Sequence, residues 1–269
     1  MATRNAQEWS VDQISDPVYR SKFVDLVRII SEWTADYFDI AGKDVLDFGC
    51  GEATTALGMA LQKKPRRIVG VEIQDEYLRC LPLAREQIGL DAFPENIDLI
   101  KVVPGQMHSL CDKFDLIYSW SVFEHVEQSL IPAVLQSLRG MMKPNGLLFI
   151  QVAPLYYSGE GSHMKPWIPE PWAHLRYQHS VYKDMLERGC PETNEFRTLW
   201  SVYTTLNKVT ADQLVQYAKN AGFEILRDYR TQDEIEPSED LVRVFQRDVL
   251  ITNQVVMLLR AEYSYLNPV

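Results

Sequence analysis

The apolar positions of this chain keep two alternating rhythms. Short, nearly continuous apolar runs lie at 44–48, 67–72, 97–102, 115–120 and 147–152, the length and texture of strands buried on both faces. Between them apolar residues recur at helical spacing. Asp16-Pro17 opens one helix, with Phe23, Leu26, Val27, Ile30, Trp33, Ala35, Tyr37 and Phe38 along its apolar side, and Gly42 breaks the chain before the first strand. Thr54 opens a second helix with Leu57, Met59, Ala60 and Leu61. Further helices are predicted around 75–88 and 128–142, the latter ending in a turn at Lys143-Pro144-Asn145-Gly146. In the tail, Thr210-Ala211-Asp212-Gln213 is a capping box, and Leu214, Tyr217, Ala218 and Ala221 follow before Gly222. Phe223–Tyr229 predicts a strand, 238–248 a helix and Gln254–Ala261 a last strand. Strands alternating with helices of this length imply an α/β fold with a mostly parallel sheet and helices on both faces.

Residues 154–205 break the rhythm. Pro154, Pro166, Pro169, Pro171 and Pro191 exclude long regular elements from the first half. Tyr156, Tyr157, Trp167, Trp172, Tyr177, Tyr182, Trp200 and Tyr203 concentrate there, together with His163, His174 and His179. An aromatic insertion at the carboxyl end of a strand is where a lid over a substrate would sit, and a small satellite core of packed rings is the alternative. The chain therefore divides into an N-terminal helical cap (1–42), a core (43–153), a lid insertion (154–205) and a C-terminal completion of the sheet (206–269).

Composition narrows the class. The 269 residues are 46% hydrophobic and 24% charged, ordinary values for a globular protein able to bury one sizeable core. A formal net charge of −10 argues against a sequence-independent nucleic-acid binder, and the basic run Lys63-Lys64-Pro65-Arg66-Arg67 reads as a solvated helix end. Cys50, Cys80, Cys111 and Cys190 are scattered, which suggests free thiols in a reducing compartment. No signal-peptide pattern follows Met1, and no run approaches the roughly 18 apolar residues of a membrane span. The expectation is a cytoplasmic protein with neither nucleic acid nor membrane as partner.

The first strand runs into Asp47-Phe48-Gly49-Cys50-Gly51-Glu52-Ala53, and Glu72 ends the next strand. Glycines at such a turn let a ligand approach the backbone, and an acid at the tip of the second strand can accept hydrogen bonds from ribose hydroxyls. The dinucleotide fingerprint wants a third glycine where Thr54 stands. Asp-x-Gly-x-Gly-x-Gly/Ala instead resembles the first motif of the class I S-adenosylmethionine (SAM) dependent methyltransferases. Gly105–Leu110, Phe114–Ser119, Phe123-Glu124-His125-Val126 and Met142-Lys143-Pro144-Asn145-Gly146-Leu147-Leu148-Phe149-Ile150 follow that family's order over residues 43–153. The resemblance implies a Rossmann-like, seven-stranded sheet whose final strand is antiparallel, and SAM as cofactor. It implies that the Gly49-Cys50-Gly51 loop approaches the methionyl part, Asp47 its ammonium or a water there, and Glu72 the ribose. Gln106 and Met107 stand where the family has aspartate and a small residue beside adenine, and Ser119 and Trp120 would flank the sulfur.

Methyl transfer from a sulfonium needs alignment above all, and an alcohol acceptor also needs its proton removed. His125, in an element resembling small-molecule methyltransferases, and His163 and His174, in the insertion, are the candidate bases. His174 and His179 have no acidic cluster beside them, so no metal site is predicted. The reading is a SAM-dependent methyltransferase acting on a small molecule at a hydroxyl, with a sugar, glycan or natural-product intermediate as acceptor. Transfer to nitrogen and a non-catalytic SAM-binding regulatory subunit are the alternatives. The oligomeric state stays open, a homodimer included.

Overall fold

In the computed structural model of the protein, residues 10–103 and 113–262 are described. Seven strands form one mixed sheet: β1 (Asp44–Phe48), β2 (Arg67–Glu72), β3 (Ile97–Lys101), β4 (Phe114–Trp120), β5 (Met142–Val152), β6 (Phe223–Gln232) and β7 (Thr252–Ala261), in the order β3-β2-β1-β4-β5-β7-β6. β1 pairs in parallel with β2 and β4, and β2 with β3. β6 and β7 pair antiparallel, as the family resemblance implied for the end of the sheet. Val45, Leu46, Ile68, Val69, Val71, Leu116 and Ile117 are all buried, which is why these strands read as continuous apolar runs rather than alternating ones.

The helices start where the capping chemistry says. Asp16 accepts from the amides of Val18 and Tyr19 and begins α1 (Pro17–Arg20). A π turn, Ser21–Asp25, joins it to α2 (Leu26–Thr34), which stops short of the predicted Tyr37 and Phe38. α3 (Thr54–Lys63) packs closely on that π turn. A Cβ on Gly58 would lie 2.3 Å from the carbonyl oxygen of Phe23. The helix expected at 75–88 is a 3₁₀ turn, Glu76–Arg79, followed by α4 (Cys80–Ile88). That at 128–142 is Gln128–Leu130 in 3₁₀ form and α5 (Ile131–Gly140). β5 then begins at Met142, one residue before the predicted turn, and runs through it, with Asn145 at φ +64° within the strand. A short polar side chain tolerates that left-handed conformation, so a turn signature served as a strand irregularity.

In 154–205 the first half holds a single short helix, α6 (Ala173–Arg176), and the second half holds α7 (His179–Gly189) and α8 (Thr193–Thr205). Thr210 and Gln213 cap α9 (Ala211–Asn220) reciprocally. The helix predicted at 238–248 is two pieces, α10 (Glu239–Val242) and α11 (Arg247–Ile251). No helix among the described residues is long and apolar enough to cross a membrane.

The chain divides into two compact units, one from 1–119 with 140–149, the other from 120–139 with 150–269. In the first, Phe23, Val27 and Ile30 are fully buried, and Trp33 meets Phe149 edge-on at 5.5 Å. In the second, Met164, Ile168, Ala173, Tyr182, Leu186, Tyr203 and Leu206 form a core with Tyr156, Trp167 and Trp200 packed against it. Residues 154–205 thus hold an apolar core of their own. The segment is fastened by Asp233, whose carboxylate accepts from the Gly159 amide at 2.8 Å and from Asn253 Nδ2 at 2.7 Å.

Candidate functional site

In the first unit the β1 turn is held by its neighbouring strand. Gly49 (φ +78°) and Gly51 (φ +52°) adopt the left-handed conformation that glycine takes without strain. The amides of Gly49 and Cys50 both donate to the carbonyl oxygen of Val71 at 3.0 Å. Glu72 Oε2 accepts from the Gly51 amide at 2.8 Å, while Oε1 accepts from the amides of Ile73 (2.7 Å) and Gln74 (3.3 Å). The acid at the strand tip therefore shapes the glycine loop, and a carboxylate with about four acceptor sites still has capacity for a diol. Gly70 faces this loop. A Cβ there would meet Leu99 Cδ2 at 2.8 Å and Cys50 Sγ at 3.1 Å.

Asp47 is 3% exposed and accepts from the Tyr118 hydroxyl at 2.8 Å. Burial pushes its carboxyl up to about 7. Glu72 adds to the rise, and the Tyr118 donation opposes it. Burial, with Asp47 and Glu72 nearby, also raises the Cys50 thiol, which stays protonated. Ser119 is fully buried, and its hydroxyl has no hydrogen-bond partner among the described residues. Trp120 is partly buried at the end of β4, and Gln106 and Met107 lie outside the described residues. A glycine loop open to side-chain-sized groups, a buried acid and a strand-tip carboxylate fit a ligand with an ammonium at one end and a ribose further along, which is the chemistry of SAM.

The second unit collects the three candidate histidines. Ser121, at φ +51°, bonds Gln151 through both its amide and its hydroxyl at 3.0 Å and begins the turn that carries Glu124 and His125. His125 packs edge-on against His163 at 5.3 Å between ring centroids. His163 Nε2 lies 3.2 Å from the Pro154 carbonyl oxygen, and His174 Nε2 lies 2.6 Å from that of Tyr156. A carbonyl only accepts, so both Nε2 atoms carry the proton and Nδ1 is left as the basic atom. Burial pushes His163 and His174 down to about 4, each against the pull of its carbonyl contact. His125 differs in being solvent-exposed; partial desolvation lowers it, and its ring makes no hydrogen bond among the described residues. His174 packs on Tyr156, whereas His179 packs on Trp200 at 4.7 Å. No group of three or more potential metal-binding side chains is found among the described residues.

Three positions at the candidate sites escaped sequence reasoning. Tyr118 reads as one more apolar strand residue until its register beside Asp47 is known. Glu124 is 3% exposed, and neither carboxylate oxygen has a hydrogen-bond partner among the described residues; burial pushes it up to about 8, with its own backbone amide and the Ser121 hydroxyl pulling the other way. Asn207 clamps the turn around it. Its Nδ2 donates to the carbonyls of Phe123 (2.6 Å) and Val126 (2.7 Å), and its amide donates to that of Glu124 at 2.9 Å. Glu124 alone had a local signal, its place in the Phe-Glu-His-Val element.

Residues 22–228 match the family described as "Methyltransferase domain". The ubiquinone biosynthesis O-methyltransferase of Actinobacillus pleuropneumoniae serotype 7 (strain AP76) is 32% identical over 128 residues, covering 46% of this chain and 53% of the relative. The protein of the same name from Azoarcus sp. (strain BH72) is 24% identical over 234 residues, 82% of this chain and 85% of the relative. The chain thus spans about half the length of the first and most of the second. The crystal structure of magnesium protoporphyrin IX methyltransferase from Synechocystis PCC 6803 with bound S-adenosylhomocysteine superposes with a TM-score of 0.53 at 13% identity, over 91% of this chain and 85% of that one. At that identity the likeness is one of fold.

Proposed function

This chain belongs to the methyltransferase-domain family of class I, SAM-dependent proteins, and from that premise we propose that it methylates a hydroxyl of a small-molecule acceptor, with His125 receiving the acceptor's proton. The observation that carries the base assignment is the state of the three imidazoles. His163 and His174 each spend Nε2 on a backbone carbonyl and are the more strongly depressed, so both are weak bases. His125 is solvent-exposed, is lowered by partial desolvation, has no committed ring nitrogen among the described residues, and stands on the turn directly after β4. A neutral imidazole is the form that can take a proton. The O-methyltransferase names of the relatives support oxygen as the acceptor atom.

When bound, SAM supplies a methyl group already activated by a sulfonium leaving group. The chain's own residues then bind and orient: Asp47 meets the ammonium, Glu72 the ribose hydroxyls and the Gly49–Gly51 backbone the methionyl part, while His125 holds the proton. The aromatic insertion, 154–205, supplies the acceptor's surroundings, and a sugar, glycan or natural-product intermediate is the acceptor class. Transfer to nitrogen is the second reading. It is favoured by Glu124, a buried carboxyl with no hydrogen-bond partner among the described residues, which suits an amine.

The test is production of S-adenosylhomocysteine with a panel of alcohols, sugars and amines, run on wild type and on His125→Ala, His163→Ala and His174→Ala. Loss of His125 should lower turnover on an alcohol about a hundredfold or more with cofactor affinity nearly intact. Near-normal turnover in all three variants would exclude histidine base catalysis, and amine-only turnover would establish the nitrogen reading.

A further inference from the structure

We propose that Tyr118 is a positioning residue for the cofactor, its hydroxyl holding the Asp47 carboxylate ionised and oriented for the ammonium end of SAM. The proposal rests on the methyltransferase reading, specifically on Asp47 as the ammonium's partner. Register sets Tyr118 beside Asp47 on the adjoining parallel strands β4 and β1, so that their side chains leave the same face of the sheet. The phenol donates to Asp47 Oδ2 at 2.8 Å, with Tyr118 fully buried and Asp47 3% exposed. Packing alone does not ask for a hydroxyl here. The preceding residues of β4, Leu116 and Ile117, fill buried positions with hydrocarbon.

The surroundings of Asp47 give that hydroxyl its weight. Glu72 at the end of β2 repels the anion, and Cys50 in the loop and Cys80 at the start of α4 also lie near it. Burial keeps both thiols neutral. No cation is among these groups, and among the described residues the phenol is the one side chain that lowers the carboxyl, which burial otherwise carries up to about 7. An ammonium ligand requires the anion. Binding near neutral pH must therefore drive a proton off Asp47, and affinity must rise with pH through neutrality and then level. Removing the Tyr118 hydroxyl raises the carboxyl further and moves that rise to higher pH.

S-adenosylhomocysteine is the probe, titrated calorimetrically into the full chain between pH 6 and 8.5 in buffers of different ionisation enthalpy. Wild type should release about half a proton per site at pH 7. Tyr118→Phe should bind about tenfold more weakly at pH 7, recover to within about threefold of wild type at pH 8.5, and release closer to one proton. Asp47→Asn should release none. Tyr118→Phe with wild-type affinity and proton release, or with a deficit independent of pH, overturns the proposal. Should Tyr118→Phe fail to fold, equal proton release in wild type and Asp47→Asn overturns it as well. Absence of binding by wild type at every pH overturns the methyltransferase reading itself, a result distinct from either.

Discussion

At the scale of single residues, the candidate cofactor site depends on side chains with two duties. Glu72 is the clearest. The residue assigned to the ribose also accepts the amides of Gly51, Ile73 and Gln74. Glu72→Ala should thus lose charge-assisted bonds to the ligand and loosen the glycine loop, weakening S-adenosylhomocysteine binding by about 1.5–3 kcal/mol. Calorimetry on a folded variant checks this, and an unchanged affinity would remove Glu72 from the site. The glycine turn after Asp47 and the placing of Glu72 at the next strand tip were legible in the sequence because a left-handed turn admits few residue types and the spacing to that tip is constrained. Tyr118 and Glu124 were not, because their significance lies in a cross-strand neighbour and in a missing partner.

At the scale of elements, close approach and clamping decide what the apolar pattern leaves open. The α3 helix meets the π turn so tightly that Gly58→Ala would put a Cβ against the Phe23 backbone oxygen. This substitution, favourable for an isolated helix, should instead cost about 1–3 kcal/mol of stability in urea unfolding. Equal or increased stability would show that the contact yields. Asn207 poses a complementary case. Its side chain satisfies two carbonyls of the turn that carries Glu124 and His125. Asn207→Ala should destabilise by about 2–3 kcal/mol and lower turnover while sparing cofactor affinity. A loss of affinity without loss of turnover would contradict that role.

At the scale of the whole molecule, buried ionisable groups give stability a pH dependence whose sign can be worked out. Folded Asp47 and Glu124 keep protons up to about 7 and about 8, whereas the unfolded carboxyls give theirs up near 4. Unfolding at neutral pH releases those protons, so their effect is a stability that falls as pH rises through this window. His163 and His174, depressed to about 4, act oppositely, since the unfolded chain takes up protons below about 6.5. The two pairs oppose each other on the acid side, and only the carboxyl effect survives above it. Stability should decline by about 2 kcal/mol between pH 6.5 and 8, and Glu124→Gln should remove most of that decline. Urea titrations across the range test this, and a flat or rising wild-type profile would count against both carboxyls.

The sequence by itself determined what depends on local chemistry. Strand and helix order, the capped starts at Asp16 and Thr210, and the glycine turn with its two acids follow from periodicity, capping hydrogen bonds and backbone sterics, all of which act within a few residues. Tertiary structure decided what depends on neighbours distant in the chain. It ended α2 at Thr34, split the helix expected at 238–248, carried β5 through the Lys143–Gly146 turn signature, and gave residues 154–205 a core of their own. It also separated the three histidines, alike in sequence, into two committed to backbone carbonyls and one whose ring nitrogens make no such bond among the described residues. Burial and hydrogen-bond partners set the protonation of a side chain, and both are properties of packing rather than of the string of residues.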